Sequence, residues 1–190
     1  MAATSTSWIY ERFGTRYAIH DHDRDCVGRR LRGWRRADLQ SDHPSLGYLY
    51  ADGQTGSNIA THISGNPFGV APEPLANIVG AGLQSAFANT TVTFVTRPTE
   101  NVRRNMTMVV AFDAPIGTKS ASLCRAPGRT PWAPSSKAVR AMMAFCFGDT
   151  PLVSIEGQIP RSGGAGDRDF VMLIRDMALR MFEAGPMNAP

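Results

Sequence analysis

Lysine is nearly absent from this chain. Of its 20 basic residues only Lys119 and Lys137 are lysines, and the rest are arginines. Such a bias more often follows genome base composition than a binding surface, so the net charge of +4 carries meaning only where the arginines cluster. Cysteine is scarce as well. Cys26, Cys124 and Cys146 are too few for a fold stapled by disulfides, and allow one pair with one thiol left over. No run approaches the roughly 18 consecutive apolar residues that a membrane-spanning helix needs. The opening stretch from Met1 to Trp8 has neither the basic n-region nor the apolar h-region of an export signal. Two expectations follow for location: a cytoplasmic protein, or a mature protein of the periplasm or cell envelope whose signal has been removed.

Catalytic signatures are missing too. There is no G-x-S-x-G elbow and no cysteine in a recognisable catalytic context. Glu156 stands amid apolar neighbours, and one carboxylate is not an acid/base pair. The glycine runs Asp52-Gly-Gln-Thr-Gly56 and Ser162-Gly-Gly-Ala-Gly166 lack the Gly-Lys-Ser/Thr of a P-loop, and neither sits in a strand–loop–helix of dinucleotide-binding type. The second precedes a helix N-terminus able to hold an anion, although a loop feeding Asp167 as a cap explains it equally. The balance leans against an enzyme and implies no cofactor.

What is present is enough apolar material for a core. The hydrophobic fraction is 43%, slightly below the globular average, and a domain of this size buries about 70% of the surface its unfolded chain exposes. The clearest element is a helix over 167–183. Asp167 serves as its N-cap, Phe170, Leu173, Ile174, Met177 and Met181 recur on one face, and Gly185 and Pro186 end it. A second helix over 73–87 starts at Pro72 and Pro74 and presents Leu75, Ile78, Val79 and Leu83. Gly80 and Gly82 weaken it by about 1 kcal/mol each relative to Ala, which suggests close packing against a sheet. Strands read at 91–97, 107–113, 138–147 and 151–159, the last two joined as a hairpin through Gly148 and Asp149. Residues 114–137, with four prolines, read as a surface loop, as does the Gly/Asn/Thr-rich run 52–69. A short helix near Trp8 and Phe13 and a strand at 46–50 complete the reading. The expected class is α+β: an antiparallel sheet of four to five strands, helices packed on one face, and a C-terminal amphipathic helix. Residues 1–70 form an extension packed on or flanking the core, and 71–190 form the core domain.

Two segments could carry binding chemistry. His20-Asp-His-Asp-Arg-Asp-Cys26 collects metal-ligand types. It is similar to the H-x-H-x-D-H motif of metallo-β-lactamase-like hydrolases, but Arg24 stands where that motif needs Asp, and the parallel β-α-β pattern of that fold is not evident. A metal-dependent hydrolase built on His20, His22 and Asp25 competes with a solvated polar turn. Next, Arg24, Arg29, Arg30, Arg32, Arg35 and Arg36 surround Trp34, the composition of a segment that contacts phosphate. Binding of RNA, DNA or acidic lipid competes with local pairing to Asp21, Asp23, Asp25 and Asp38.

Cys124 and Cys146 admit two readings. If the strands ending near 113 and 147 are neighbours, the intervening loop can return Cys124 to within disulfide reach of Cys146. In a reducing compartment the same pair would be two buried thiols.

Ala86 and Phe87, Met108-Val-Val-Ala-Phe112, Leu123 with Cys124, Met143-Ala-Phe-Cys-Phe-Gly-Asp149, and Phe170, Leu173, Ile174, Met181 and Phe182 together carry a likeness over about 75–185. This half resembles a group of proteobacterial cell-envelope proteins, often predicted lipoproteins, and its layout is similar to small α/β domains of envelope-assembly lipoproteins. The resemblance implies an exported, disulfide-bearing domain that works by binding other proteins, with no catalytic residue to transfer. The leading expectation is a non-enzymatic envelope accessory or scaffolding protein, a subunit of a complex.

Overall fold

A computed structural model describes residues 58–88, 92–97, 101–135, 137–161 and 163–182. The long apolar runs become the middle of the sheet, as burial on both faces requires. Val102–Phe112 (β3) and Ala138–Phe147 (β4) pair antiparallel with Met108 opposite Phe145 and Val110 opposite Met143. Thr150–Pro160 (β5) folds back on β4 as the expected hairpin, through Gly148 at φ 55. Only glycine takes that angle cheaply.

The other half of the sheet is parallel. Asn58–Ser64 (β1) runs alongside β3, and Thr93–Val95 (β2) runs alongside β1, giving the order β2-β1-β3-β4-β5. The α+β class holds, but the sheet is mixed and not purely antiparallel. The cause is Pro72–Ala86 (α1), which leaves the end of β1 and carries the chain back to start β2 in the same direction. A β-α-β crossover is therefore present after all. Within the loop expected at 52–69, residues 58–64 instead form β1, N-terminal to the boundary placed at residue 70, and residues 52–57 lie outside the described residues. The buried positions of β1 are Ile59, Thr61 and Ser64, two of them hydroxyl-bearing, in a Gly/Asn/Thr-rich run where a strand does not stand out.

The alternating pattern sorts the sheet into two faces. Met108, Val110, Phe112, Met143, Phe145, Val153 and Ile155 join α1 and Arg168–Phe182 (α3) in the main core. Phe170, Leu173, Ile174 and Met177 of α3 are all at most 1% exposed, each worth about 2 kcal/mol in burial. Phe182 meets Phe87 and Phe145 with ring centroids at 5.2 and 5.3 Å, and Phe170 meets Phe68 and Phe112 at 5.0 and 5.3 Å. Asp167 caps α3 as its position implies, its Oδ1 accepting the Asp169 N–H at 2.9 Å. Gly82 has a different partner from the one expected. A Cβ there would lie 3.0 Å from Ile174 Cβ and Cγ2, so the close approach is to α3 and not to the sheet.

The opposite face has a helix too, so the helices are not confined to one side. Ser120–Arg125 (α2) lies within the stretch read as loop and packs Leu123 and Cys124 on Val109, Ala111, Met142, Ala144 and Cys146. Among the described residues no helix is long and apolar enough to cross a membrane.

Candidate functional site

On the α2 face, Cys124 and Cys146 form a disulfide with their Cα atoms 5.6 Å apart. Both are buried, at 2% and 0% exposure. Cys146 faces this side because it sits one residue out of step with Phe145, which points into the main core. Of the two readings the sequence left open, the structure has the bridge. It fastens α2 to the middle of the sheet and holds the segment that follows, including the half-exposed Trp132.

At the end of β3 the chain makes a buried polar clasp. Asp113 is fully buried with φ 48, a conformation that Asp and Asn tolerate best among residues with a side chain. Its Oδ1 accepts the Arg140 N–H at 3.0 Å, and its Oδ2 accepts from Arg161 Nη2 at 2.6 Å. Arg161 also donates to the Pro67 carbonyl, and Arg140 Nη2 donates to the Ala114 carbonyl at 3.1 Å. The Ala133 N–H donates to the Asp113 carbonyl at 2.8 Å. The Asp113 carboxylate thus joins the ends of β3, β4 and β5, while Arg161 and the Asp113 main-chain carbonyl each hold a loop to that junction. An Asp ending an apolar strand just before Ala-Pro was the only hint of it in the sequence.

Among the described residues, two concavities bear on the site. The smaller, about 140 Å³, lies between the turn carrying Ile116 and the ends of β4 and β5, with Glu156, Arg140 and Gln158 in its lining. Glu156 is half-buried there and is the one carboxylate among the described residues lining it. The larger, about 590 Å³, lies at the end of β1. Leu75 and Ala76 of α1 line one side of it, and Gly128, Arg129 and Trp132 another. Gly128 at φ 72 runs close over His62, where a Cβ would lie 3.7 Å from the His62 Cβ.

No family model matches the chain, and no curated protein matches it. Among solved structures it is similar to PelC. Two dodecamer structures of PelC from Paraburkholderia phytofirmans, one of them a single-residue variant, align at 12% identity with a TM-score of 0.39. The match covers 78% of this chain and 94% of PelC, or 66% and 86% for the variant. Likeness at that level carries no argument about function.

His20, His22, Asp25 and Cys26, and the cluster Arg24, Arg29, Arg30, Arg32, Trp34, Arg35 and Arg36, lie outside the described residues. Among the described residues no group of three or more His, Cys, Asp or Glu side chains converges to hold a metal ion. His62, expected in a loop, stands exposed on β1. The residues that the structure brings together are therefore Cys124 with Cys146, foreseen as a pair, and Asp113, Arg140 and Arg161, which were not foreseen.

Proposed function

We propose that this chain is a non-enzymatic accessory or scaffolding domain of the cell envelope, working in the periplasm through contacts with other proteins. The Cys124–Cys146 disulfide carries the reading. Glutathione and thioredoxin keep cytosolic thiols reduced, and stable bridges belong to oxidising compartments. A buried bridge beneath a helix, with no third cysteine near it among the described residues, is built for structure and not for exchange. The buried charges support the same reading. Asp113 and Arg161 spend their hydrogen bonds on each other and on backbone groups, and so hold loops in place. What they hold toward solvent is suited to contact: Trp132 at 47% and Ile116 at 92% exposure project from the two ends of the segment that follows β3. Trp is favoured at protein interfaces for its large, rigid, amphipathic surface.

Alkylation of the chain in its native compartment, followed by intact-mass measurement without reductant, tests the location. The expected chain carries no alkyl group at Cys124 or Cys146; alkylation of both would remove the main support. Amine-reactive cross-linking in intact cells tests the contacts, because Lys119 and Lys137 are both exposed and flank the α2 segment. Links from either lysine to a different protein are expected. Links confined to this chain alone would count against a scaffolding role.

A further inference from the structure

β2 is too short for the strand beside it. Its three residues pair with Asn58, Ile59 and Ala60, and β1 continues through 61–64 while paired to β3 on its other side only. Among the described residues, no strand occupies the β2 side of 61–64. A strand edge presents a row of backbone N–H and C=O groups ready to pair with another chain, and proteins blunt such edges with Pro, Lys, bulges or a covering element. Thr61, His62, Ile63 and Ser64 include no Pro or Lys, and although the loop at Gly128 passes close to His62, the larger concavity opens on this stretch.

The shape of the opening suits an added strand. Thr96, the residue after β2, closes one end, so the space continues the line that β2 leaves unfinished. Four extended residues span about 13 Å, and about 590 Å³ lies within the range of clefts that bury a ligand. Both side walls are preformed: one is α1, and the other is the loop held by the disulfide and by the Ala133–Asp113 hydrogen bond.

The lining also states a preference. No carboxylate lines this concavity among the described residues, whereas Arg129 is exposed there without a carboxylate partner, close to His62. Trp132 offers a flat apolar surface beside them. Of the residues lining it, Thr61 Oγ1 and Asn66 Oδ1 are buried without a hydrogen-bond partner. Buried polar groups are normally satisfied, and two exceptions in one concavity are tolerated where a guest can reorganise and pair them.

We infer that an extended, acidic peptide segment of a partner protein adds as a strand along residues 61–64, continuing the line of β2, with a carboxylate toward Arg129 and a side chain against Trp132. This mode of recognition draws affinity from main-chain hydrogen bonds and specificity from the flanking side chains. It rests on the protein-contact reading given above and names the partner's chemistry.

The test uses the full oxidised chain and random octapeptides displayed on phage, with the selected peptides then synthesised and titrated into isotope-labelled protein by NMR. Acidic sequences rich in β-branched residues are expected, with amide shifts at 61–66 and at the Trp132 indole. Arg129→Glu should weaken those peptides about five-fold or more, as expected for an exposed ion pair turned repulsive, while Arg129→Lys retains most of the binding. The proposal is overturned if no peptide is enriched, if shifts fall on β5 or another surface, or if affinity is indifferent to the charge at 129. It is equally overturned if free acetate gives the same shifts, or if light scattering shows self-association that Trp132→Ala abolishes, since a small anion or a second copy would then be the occupant. Failure here with an oxidised, cross-linked chain leaves the envelope reading standing. Free thiols in the cell with peptide binding intact would do the reverse.

Discussion

Asp113→Ala would remove three things at one position. The first is the anion facing Arg161, whose side chain is only 19% exposed. The second is the acceptor for the Arg140 N–H at 3.0 Å. The third is a side chain suited to φ 48. Breaking a buried pair from one side costs about 3–5 kcal/mol, because the surviving charge is left uncompensated. An alanine in the left-handed region adds about 1 kcal/mol. The expected loss for Asp113→Ala is therefore about 4–6 kcal/mol. Asp113→Asn tolerates the backbone angle and keeps one oxygen for the Arg140 N–H, but it loses the charge and turns an NH2 toward the Arg161 guanidinium, which together cost about 2–3 kcal/mol. Urea unfolding of the oxidised chain reads both. With a slope of about 2 kcal/mol/M, the midpoint falls by about 2–3 M for Ala and about 1–1.5 M for Asn, at unchanged slope. The order of the two variants is the discriminating result. If they cost the same, or if Ala costs less than about 1 kcal/mol, the clasp is not what ties the loops to the sheet. A double-mutant cycle with Arg161→Met isolates the pair itself, and should show a coupling above about 1 kcal/mol.

Three further outcomes are expected. Replacing Cys124 and Cys146 together with Ala opens a loop with a sequence separation of 22, which should lower stability by about 3 kcal/mol and speed amide exchange across 119–133 while β3 and β4 stay protected; an unchanged urea midpoint would contradict this. Gly65→Ala places a Cβ 2.4 Å from the Phe112 carbonyl oxygen at φ 78, and should cost about 3 kcal/mol in the same assay. Gly80→Ala and Gly82→Ala should differ in sign: the first meets only Thr96 Cγ2 at 4.0 Å and gains about 1 kcal/mol of helix propensity, while the second meets Ile174 at 3.0 Å and loses about 1–2 kcal/mol to overpacking.

Sequence patterns carried the antiparallel half of the fold and the two long helices, because those elements announce themselves locally. β4 and β5 are apolar runs about a Gly-Asp turn, and the helices repeat every three to four residues. β1 escaped because its place in the sheet is decided by neighbours: Thr61 is 4% exposed although nothing about a threonine requires it. With β1 unseen, α1 could not be recognised as a crossover, and the parallel pairing was lost with it. α2 has six residues between Pro115 and Pro127, too few for a period to show. The clasp was beyond reach for another reason. Asp113 meets residues 27 and 48 positions away, and charged side chains at such separations look independent in the chain. The concavity beside β1 inherits every one of these omissions, since its walls come from β1, α1 and the loop after α2.

The two faces of the sheet are unequal, and the inequality explains where the disulfide lies. On the α1 and α3 face, long helices bury many large side chains, and packing alone can hold them. On the other face, α2 buries Ser120, Leu123 and Cys124 from a helix of six residues. Leu123 contributes about 2–3 kcal/mol, whereas fixing each backbone residue of such a helix costs about 1–2 kcal/mol. Burial of so few side chains does not settle α2 on the sheet unaided. The bridge to Cys146 removes much of the competing freedom, because it keeps α2 near β4 even in the unfolded chain. The Ala133–Asp113 hydrogen bond then fixes the far end of the same segment. Arg129 and Trp132 lie between those two tethers. Their position beside β1 is therefore set by the redox state of one pair of sulfurs and by one main-chain carbonyl at the end of β3, both remote in sequence from the strand edge they flank.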